Sequence, residues 1–254
     1  MSAVRGSGHL VDTNKNIDLF ALKKFLNRFS GSYKSPGMIL TLNHDVLLER
    51  LFKNDRHYLN FLLPFVDLSV SEKSGMLSKY DVVSFKNNED YKYSTHLEKL
   101  SAFDVNVIDY IKLHGSFNWR DENNNLLIVL GEEKEKNIQG INMLSEYADI
   151  FKEILAKNPK ILCIGYSFND NHINKLFDEN EVEIQVVNPL GSSVLYETLN
   201  KKDEVNSDKL QHKKNIWEKR ITNYYQTDLR SLFSKNIHKS KTLREIEINF
   251  FDDD

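Results

Sequence analysis

Three segments of the chain place reactive polar side chains directly after short apolar runs. They are Asn43-His44-Asp45, His114-Gly115-Ser116 and Gly165-Tyr166-Ser167. A histidine suits general acid–base catalysis, and the amides, hydroxyls and carboxylates of these segments suit the hydroxyl groups of a sugar. Ligands of an open α/β sheet bind outside the carboxyl ends of its strands. The three segments therefore predict a single crevice that binds a ribose-bearing ligand.

The elements that must position these residues follow from the apolar pattern. Compact apolar runs predict buried strands, and helical spacing of apolar residues predicts helices between them. The predicted strands are 38–42, 107–113, 161–164 and 182–187, and the predicted helices are 17–29, 46–52, 143–155 and 170–177. Apolar strands that alternate with helices indicate a Rossmann-like α/β fold, a mostly parallel sheet with helices on both faces.

The same pattern predicts the organisation of the chain. Residues 1–37 are interpreted as an N-terminal arm and helix, and residues 38–200 as the Rossmann-like core. Weak periodicity at about 54–105 indicates an inserted irregular segment. Residues 201–254 are rich in charged residues with scattered apolar positions, and we expect a helical C-terminal extension there.

Composition excludes several classes of function. The net charge of −3 gives no bulk reason for nucleic-acid binding. The single cysteine, Cys163, excludes an internal disulfide and a four-cysteine zinc module, and its apolar neighbours predict a small buried residue. Since no ligand spacing indicates a metal site, no metal is expected. No apolar run could span a membrane and no signal peptide is visible, so the expected location is the cytoplasm.

The order of the polar segments resembles a known family. Four segments carry the resemblance: Thr41-Leu42-Asn43-His44-Asp45, Leu113-His114-Gly115-Ser116-Phe117-Asn118-Trp119, Gly165-Tyr166-Ser167-Phe168-Asn169-Asp170 and Val187-Asn188-Pro189. They are similar to the successive signatures of sirtuin-like domains. They are most similar to those of the bacterial sirtuin-like NAD hydrolases of antiphage defence. The resemblance covers roughly residues 38–190.

The resemblance implies a role for each matched residue. Asn43 would position the ribose of NAD and an attacking water, and His114 would act as general base. The residues that the resemblance assigns to NAD binding are Thr41, Asp45, Gly115, Ser116, Gly165, Ser167 and Asn188. Backbone N–H groups at the helix start that follows Gly165 would favour phosphate.

Structural roles remain open for several of these residues. Asp45 could cap the predicted helix at 46–52. Ser167 and Asp170 could cap the predicted helix at 170–177 in the same way. Asn188 precedes Pro189 and could be an ordinary turn residue.

The chain also departs from the family pattern. Where the family has an apolar strand and a Gly-Ala-Gly-x-Ser loop for the NAD pyrophosphate, only Arg5-Gly6-Ser7-Gly8-His9 stands near the start. Lysine deacylases of the family carry a four-cysteine zinc ribbon, which a single cysteine cannot form.

These observations lead to two hypotheses of function. The first is an NAD hydrolase that releases ADP-ribose and nicotinamide, an effector of antiphage defence by NAD depletion. The alternative is a catalytically weak module with a sirtuin-like fold that binds NAD or ADP-ribose or assembles with a protein, and the departure at residues 5–9 supports it. By the resemblance we also expect a homo-oligomer or a partner sensor or ATPase protein, with no membrane contact.

Overall fold

The computed structural model describes residues 17–32, 34–52, 60–62, 64–65, 82–86, 89, 91–100, 107–131, 133–194, 207–235 and 240–252. The predicted glycine-bearing segment at residues 5–9 and most of the predicted insertion at 54–105 lie outside these residues. The described residues form two compact units. The first runs from Leu19 to Ile150, and the second contains Ile17, Asp18 and the described residues from Phe151 onward.

The first unit contains a parallel three-stranded sheet. Its strands are β1 (Gly37–Thr41), β2 (Asn60–Leu62) and β4 (Val107–Lys112), in the order β1-β4-β2. All six residues of the central strand β4 are buried, as expected for a near-continuous apolar strand inside a parallel sheet. Gly37 pairs with Ile108 and Thr41 pairs with Lys112, so β1 and β4 end side by side.

A second sheet of the first unit follows β4 after two residues. It consists of β3 (Val83–Ser84), β5 (Gly115–Arg120) and β6 (Leu126–Ile128), with β5 and β6 antiparallel. The sequence pattern did not predict β5. Gly115 makes this return possible, because its φ is 79° and a Cβ at this position would lie 2.0 Å from the carbonyl oxygen of Leu127. Only glycine has room for so close an approach.

Helices and aromatic side chains enclose these strands. The helices with residues in this unit are α1 (Leu19–Asn27), α2 (Leu47–Phe52), α3 (Tyr93–Leu100), α4 (Lys134–Gln139) and α5 (Asn142–Leu155). Trp119 is almost fully buried, with its ring 5.1 Å from that of Phe85 and 6.1 Å from that of Tyr147. The Tyr147 hydroxyl donates to the carbonyl of Pro64 at 2.6 Å. Trp119 is therefore a packing residue of the core.

The second unit contains another parallel three-stranded sheet. Its strands are β7 (Lys160–Ile164), β8 (Glu183–Val187) and β9 (Ile221–Tyr225), in the order β7-β8-β9. The helices after β7 are α6 (Asn171–Glu179), α7 (Ser207–Lys219), α8 (Leu229–Leu232) and α9 (Lys241–Phe251). Cys163 lies buried in β7, and burial raises the pKa of its thiol to about 12, as a structural cysteine requires.

The C-terminal extension at 201–254, which the sequence predicted as helical, contains helices and also strand β9. The sequence of this strand, ITNYY, mixes polar and apolar residues and lacks the apolar run that marks the other strands. A closed set of hydrogen bonds joins it to its neighbours. The Tyr225 hydroxyl donates to Gln185 Oε1 at 3.0 Å, Gln185 Nε2 donates to the carbonyl of Asn249 at 2.9 Å, and Asn249 Nδ2 donates to the Tyr225 hydroxyl at 3.0 Å.

Candidate functional site

The ends of β1 and β4 bring the first two sequence-predicted segments together. We call residues 41–45 and 112–116 the first polar edge. The Leu113 amide donates to the carbonyl of Thr41 at 3.1 Å, which holds the two strand ends side by side. The carbonyl of His44 accepts from the Phe117 amide at 3.0 Å and from the Ser116 hydroxyl at 3.2 Å. The loop after β1 is thereby tied to the start of β5.

Short-range hydrogen bonds shape the loop that carries Asn43. The Asn43 amide donates to Thr41 Oγ1 at 3.0 Å, and the Leu47 amide donates to Asp45 Oδ1 at 2.9 Å. Asp45 therefore supports the start of α2 with its side chain, which is the structural role that the sequence left open. The side chain of Asn43 is exposed, so it is accessible to a ligand.

Two histidines lie within this edge. The ring centroids of His44 and His114 are 6.2 Å apart with an interplanar angle of 29°, and the His44 ring is 5.7 Å from that of Phe117. His114 is 2% exposed. Burial lowers the pKa of His44, and the charge of Lys112 adds to this, against backbone hydrogen bonds that raise it. The lowered pKa favours the neutral form of the His44 imidazole, which lies beside His114.

A buried ion pair supports the same loop, and the sequence pattern did not predict it. Lys112 Nζ donates to Glu49 Oε1 at 2.8 Å, and the two side chains are 0% and 3% exposed. Lys112 also donates to the backbone carbonyl of Asp45. Burial raises the pKa of Glu49, although Lys112 opposes that shift. A lysine at the end of an apolar strand could have signalled this pair, because a buried ammonium needs a partner.

The ends of β7 and β8 bring the other two segments together. We call residues 165–169 and 188 the second polar edge. Gly165 has a φ of 68° and its amide donates to the carbonyl of Val187 at 2.9 Å. Asn188 Nδ2 donates to the carbonyl of Tyr166 at 3.2 Å, while Asn188 Oδ1 accepts from the Leu190 amide at 2.9 Å. Asn188 thus forms a turn and also holds the strand end of β7.

The turn after Gly165 is held from helix α6. The Tyr166 hydroxyl donates to Asn174 Oδ1 at 2.9 Å, and Asn174 Nδ2 donates to the carbonyl of Phe168 at 2.8 Å. Phe168 itself is buried with a φ of 53°. Because both ends of the turn are fixed in this way, the exposed residues Gly165 and Ser167 keep a defined position.

The sequence left capping open as a structural role for Ser167 and Asp170. Asp170 occupies the N-cap position of α6, and its side chain makes no capping hydrogen bond. Ser167 lies three residues before that position. Because the N-terminal amides of α6 receive no bond from the Asp170 side chain, the usual stabilisation by an aspartate cap is missing at this helix start.

The fold and these two edges define an α/β protein with parallel sheets and helices around them, a Rossmann-like arrangement. The family model for the SIR2-like domain matches residues 37–225, well over half of the chain, and the chain belongs to this family. The match begins at the first residue of β1 and ends at the last residue of β9. The predicted sirtuin-like domain is therefore confirmed, and the family associates the chain with NAD-dependent activity.

The other comparisons add no relative. The comparison with curated proteins and the comparison with solved structures each find no match. Among the helices of the described ranges, none has the length and apolarity needed to cross a membrane.

Proposed function

We propose that the chain is an NAD hydrolase that converts NAD and water to ADP-ribose and nicotinamide. The observation that carries the proposal is the first polar edge, where the end of β1 presents Asn43 and the end of β4 presents His114. Histidine and asparagine at adjoining strand ends supply a general base and an amide that can position a water molecule. Membership of the SIR2-like family supports NAD as the substrate.

In this mechanism the bond between nicotinamide and the ribose C1′ breaks first. Its electron pair goes to the nicotinamide nitrogen, and the ribose develops oxocarbenium character. Asn43 positions the ribose and the water, whose oxygen attacks C1′ while His114 takes its proton. Asp45 orients the nicotinamide side of the site through its place in the loop. By the family resemblance, Thr41, Gly115, Ser116, Gly165, Ser167 and Asn188 contribute to NAD binding.

Two substitutions test the proposal directly. His114→Ala should lower NAD turnover by about 10²–10⁴-fold, because the general base is lost. Asn43→Ala should lower it by about 10²-fold through misplacement of the reacting groups. Turnover is measured with a fluorogenic NAD analogue and by chromatography of nicotinamide and ADP-ribose. Asn123→Ala is the matched control, since this exposed asparagine lies in the turn between β5 and β6.

The same assay distinguishes the NAD hydrolase from the alternative, a binding or assembly module. Turnover by the unmodified chain that persists in both His114→Ala and Asn43→Ala would contradict the assigned roles. Binding of NAD or ADP-ribose in calorimetry without any turnover would instead support the module, which the departure at residues 5–9 favours.

We also propose a role in antiphage defence through NAD depletion, in a homo-oligomer or with a sensor or ATPase partner. The resemblance to defence-type sirtuin-like domains supports this part of the proposal. Light scattering should give a mass that is a multiple of the monomer mass. A strict monomer with full NAD turnover in the absence of other proteins would contradict the assembly.

A further inference from the structure

We propose that Lys112 and Glu49 form a positioning pair that fixes the Asn43 loop for catalysis. The inference deepens the proposed NAD hydrolase activity and rests on it for its kinetic consequence. Lys112 and Glu49 do not reach the ligand in this proposal. They act through the backbone of the residues that do.

The ammonium group of Lys112 connects strand β4, helix α2 and the Asn43 loop. Lys112 is the last residue of β4, and its Nζ donates to the carboxylate of Glu49 in α2 at 2.8 Å. The same Nζ donates to the carbonyl of Asp45, two residues after Asn43. The Asn43 loop is therefore held from β4 and from α2 at once, in addition to the bonds that Thr41 and Asp45 make within it.

Stability alone is a poor explanation for this arrangement. Both side chains are almost fully buried, and removing two charges from water offsets most of their attraction. Apolar residues of similar volume would commonly stabilise such a position as well or better. They could not donate a hydrogen bond to the Asp45 carbonyl, however. The distinctive contribution of Lys112 is thus the location of the loop that follows β1.

The contrast with surface ion pairs of the same chain supports this reading. Lys241 and Glu245 on α9 approach to 3.6 Å, and their side chains are 92% and 47% exposed. Such a pair contributes little, because water and salt screen it. The surface pair joins residues of one helix turn, whereas Lys112 joins segments that lie 63 residues apart in sequence.

The test replaces the pair with apolar residues in the double variant Lys112→Met, Glu49→Leu. This variant avoids leaving one charge buried alone. Hydrogen exchange of the Asn43 and Leu47 amides, both hydrogen-bonded in the loop, should become at least about 10-fold faster. In steady-state kinetics, kcat for NAD should fall by about 10–100-fold while KM changes much less, because the loop positions the reacting groups. The matched control is the double variant Lys241→Met, Glu245→Leu, which should change neither readout.

Unchanged exchange at Asn43 and Leu47 in the first double variant would overturn the positioning role. If that variant does not fold, Lys112→Met decides the question, since it removes the donor to the Asp45 carbonyl. Faster exchange at the same two amides would support the role, and wild-type exchange would overturn it. If the unmodified chain does not hydrolyse NAD, the proposed function is wrong. The hydrogen-exchange experiment uses no NAD, so it tests the positioning role of Lys112 and Glu49 independently of that result.

Discussion

The two polar edges are built on the same topology but use different chemistry. Each follows two neighbouring parallel strands, β1 with β4 and β7 with β8. The first edge contains two histidines, a carboxylate and a buried lysine, whereas the side chains of the second edge are amides, a hydroxyl and aromatic rings. The ends of neighbouring parallel strands determine where the polar side chains lie. The types of these side chains determine whether the edge contains groups that can transfer protons or groups that only form hydrogen bonds.

The edges also differ in how their backbones are held. The first edge depends on side chains distant in sequence, Lys112 with Glu49 and Ser116 with the His44 carbonyl. The second edge has a bond between near neighbours in sequence, Tyr166 with Asn174, and a longer-range bond from Asn188 to the Tyr166 carbonyl, and both bonds join uncharged groups. We therefore expect substitutions in the first edge to have larger effects, and the following predictions test that difference.

The largest expected difference concerns Gly115 in the first edge and Gly165 in the second, which both have a positive φ. In Gly115→Ala, the new Cβ would lie 2.0 Å from the carbonyl oxygen of Leu127, so the backbone must move, and we expect a loss of at least about 4 kcal/mol in unfolding free energy. In Gly165→Ala, φ is 68° but no atom beyond the two adjacent residues lies within 4 Å of the new Cβ. This variant should lose only about 1–2 kcal/mol. Urea unfolding followed by circular dichroism measures both, and equal losses would contradict the comparison.

These glycines illustrate what the sequence can and cannot predict. The strands β1, β4, β7 and β8 were predictable because each is a compact apolar run. Gly115 was predicted as a residue of the site, but its close approach to Leu127 depends on the antiparallel return of β6. The position of Lys112 at the end of an apolar strand signals that it needs a partner, but residues with weak periodicity separate it from Glu49, so no local pattern identifies Glu49 as that partner. Strand β9 was missed because it lacks an apolar run, and its Tyr225 hydroxyl bonds to Gln185 of β8 and Asn249 of α9, which no local pattern shows.

An intermediate effect is expected at the second edge. Asn188→Ala removes a donor to the Tyr166 carbonyl and an acceptor for the Leu190 amide. Since these groups are part-buried, we expect a loss of about 1–3 kcal/mol in unfolding free energy. The control is Asn180→Ala, which removes a single bond to the Leu176 carbonyl. A loss at Asn188 no greater than that at Asn180 would show that the two Asn188 bonds do not hold this edge.

The smallest expected effect is a dependence on pH that belongs to the first edge. Burial keeps the pKa of His44 below its ordinary value of 6.5. Between the lowered value and 6.5 the unfolded chain therefore binds more protons than the folded chain, and stability rises with pH in that window. The contribution is complete above pH 6.5 and is lost as the pH falls towards the lowered pKa.

Replacing His44 should remove this part of the pH dependence. Unfolding free energies of His44→Gln and of the unmodified chain are compared by urea unfolding between about pH 5 and pH 8. The slope should be smaller in His44→Gln. Asn188→Ala is the matched control, because it changes an edge without a histidine: its stability should be lower by the same amount at every pH. A pH slope in His44→Gln equal to that of the unmodified chain would mean that His44 does not contribute to the pH dependence of stability.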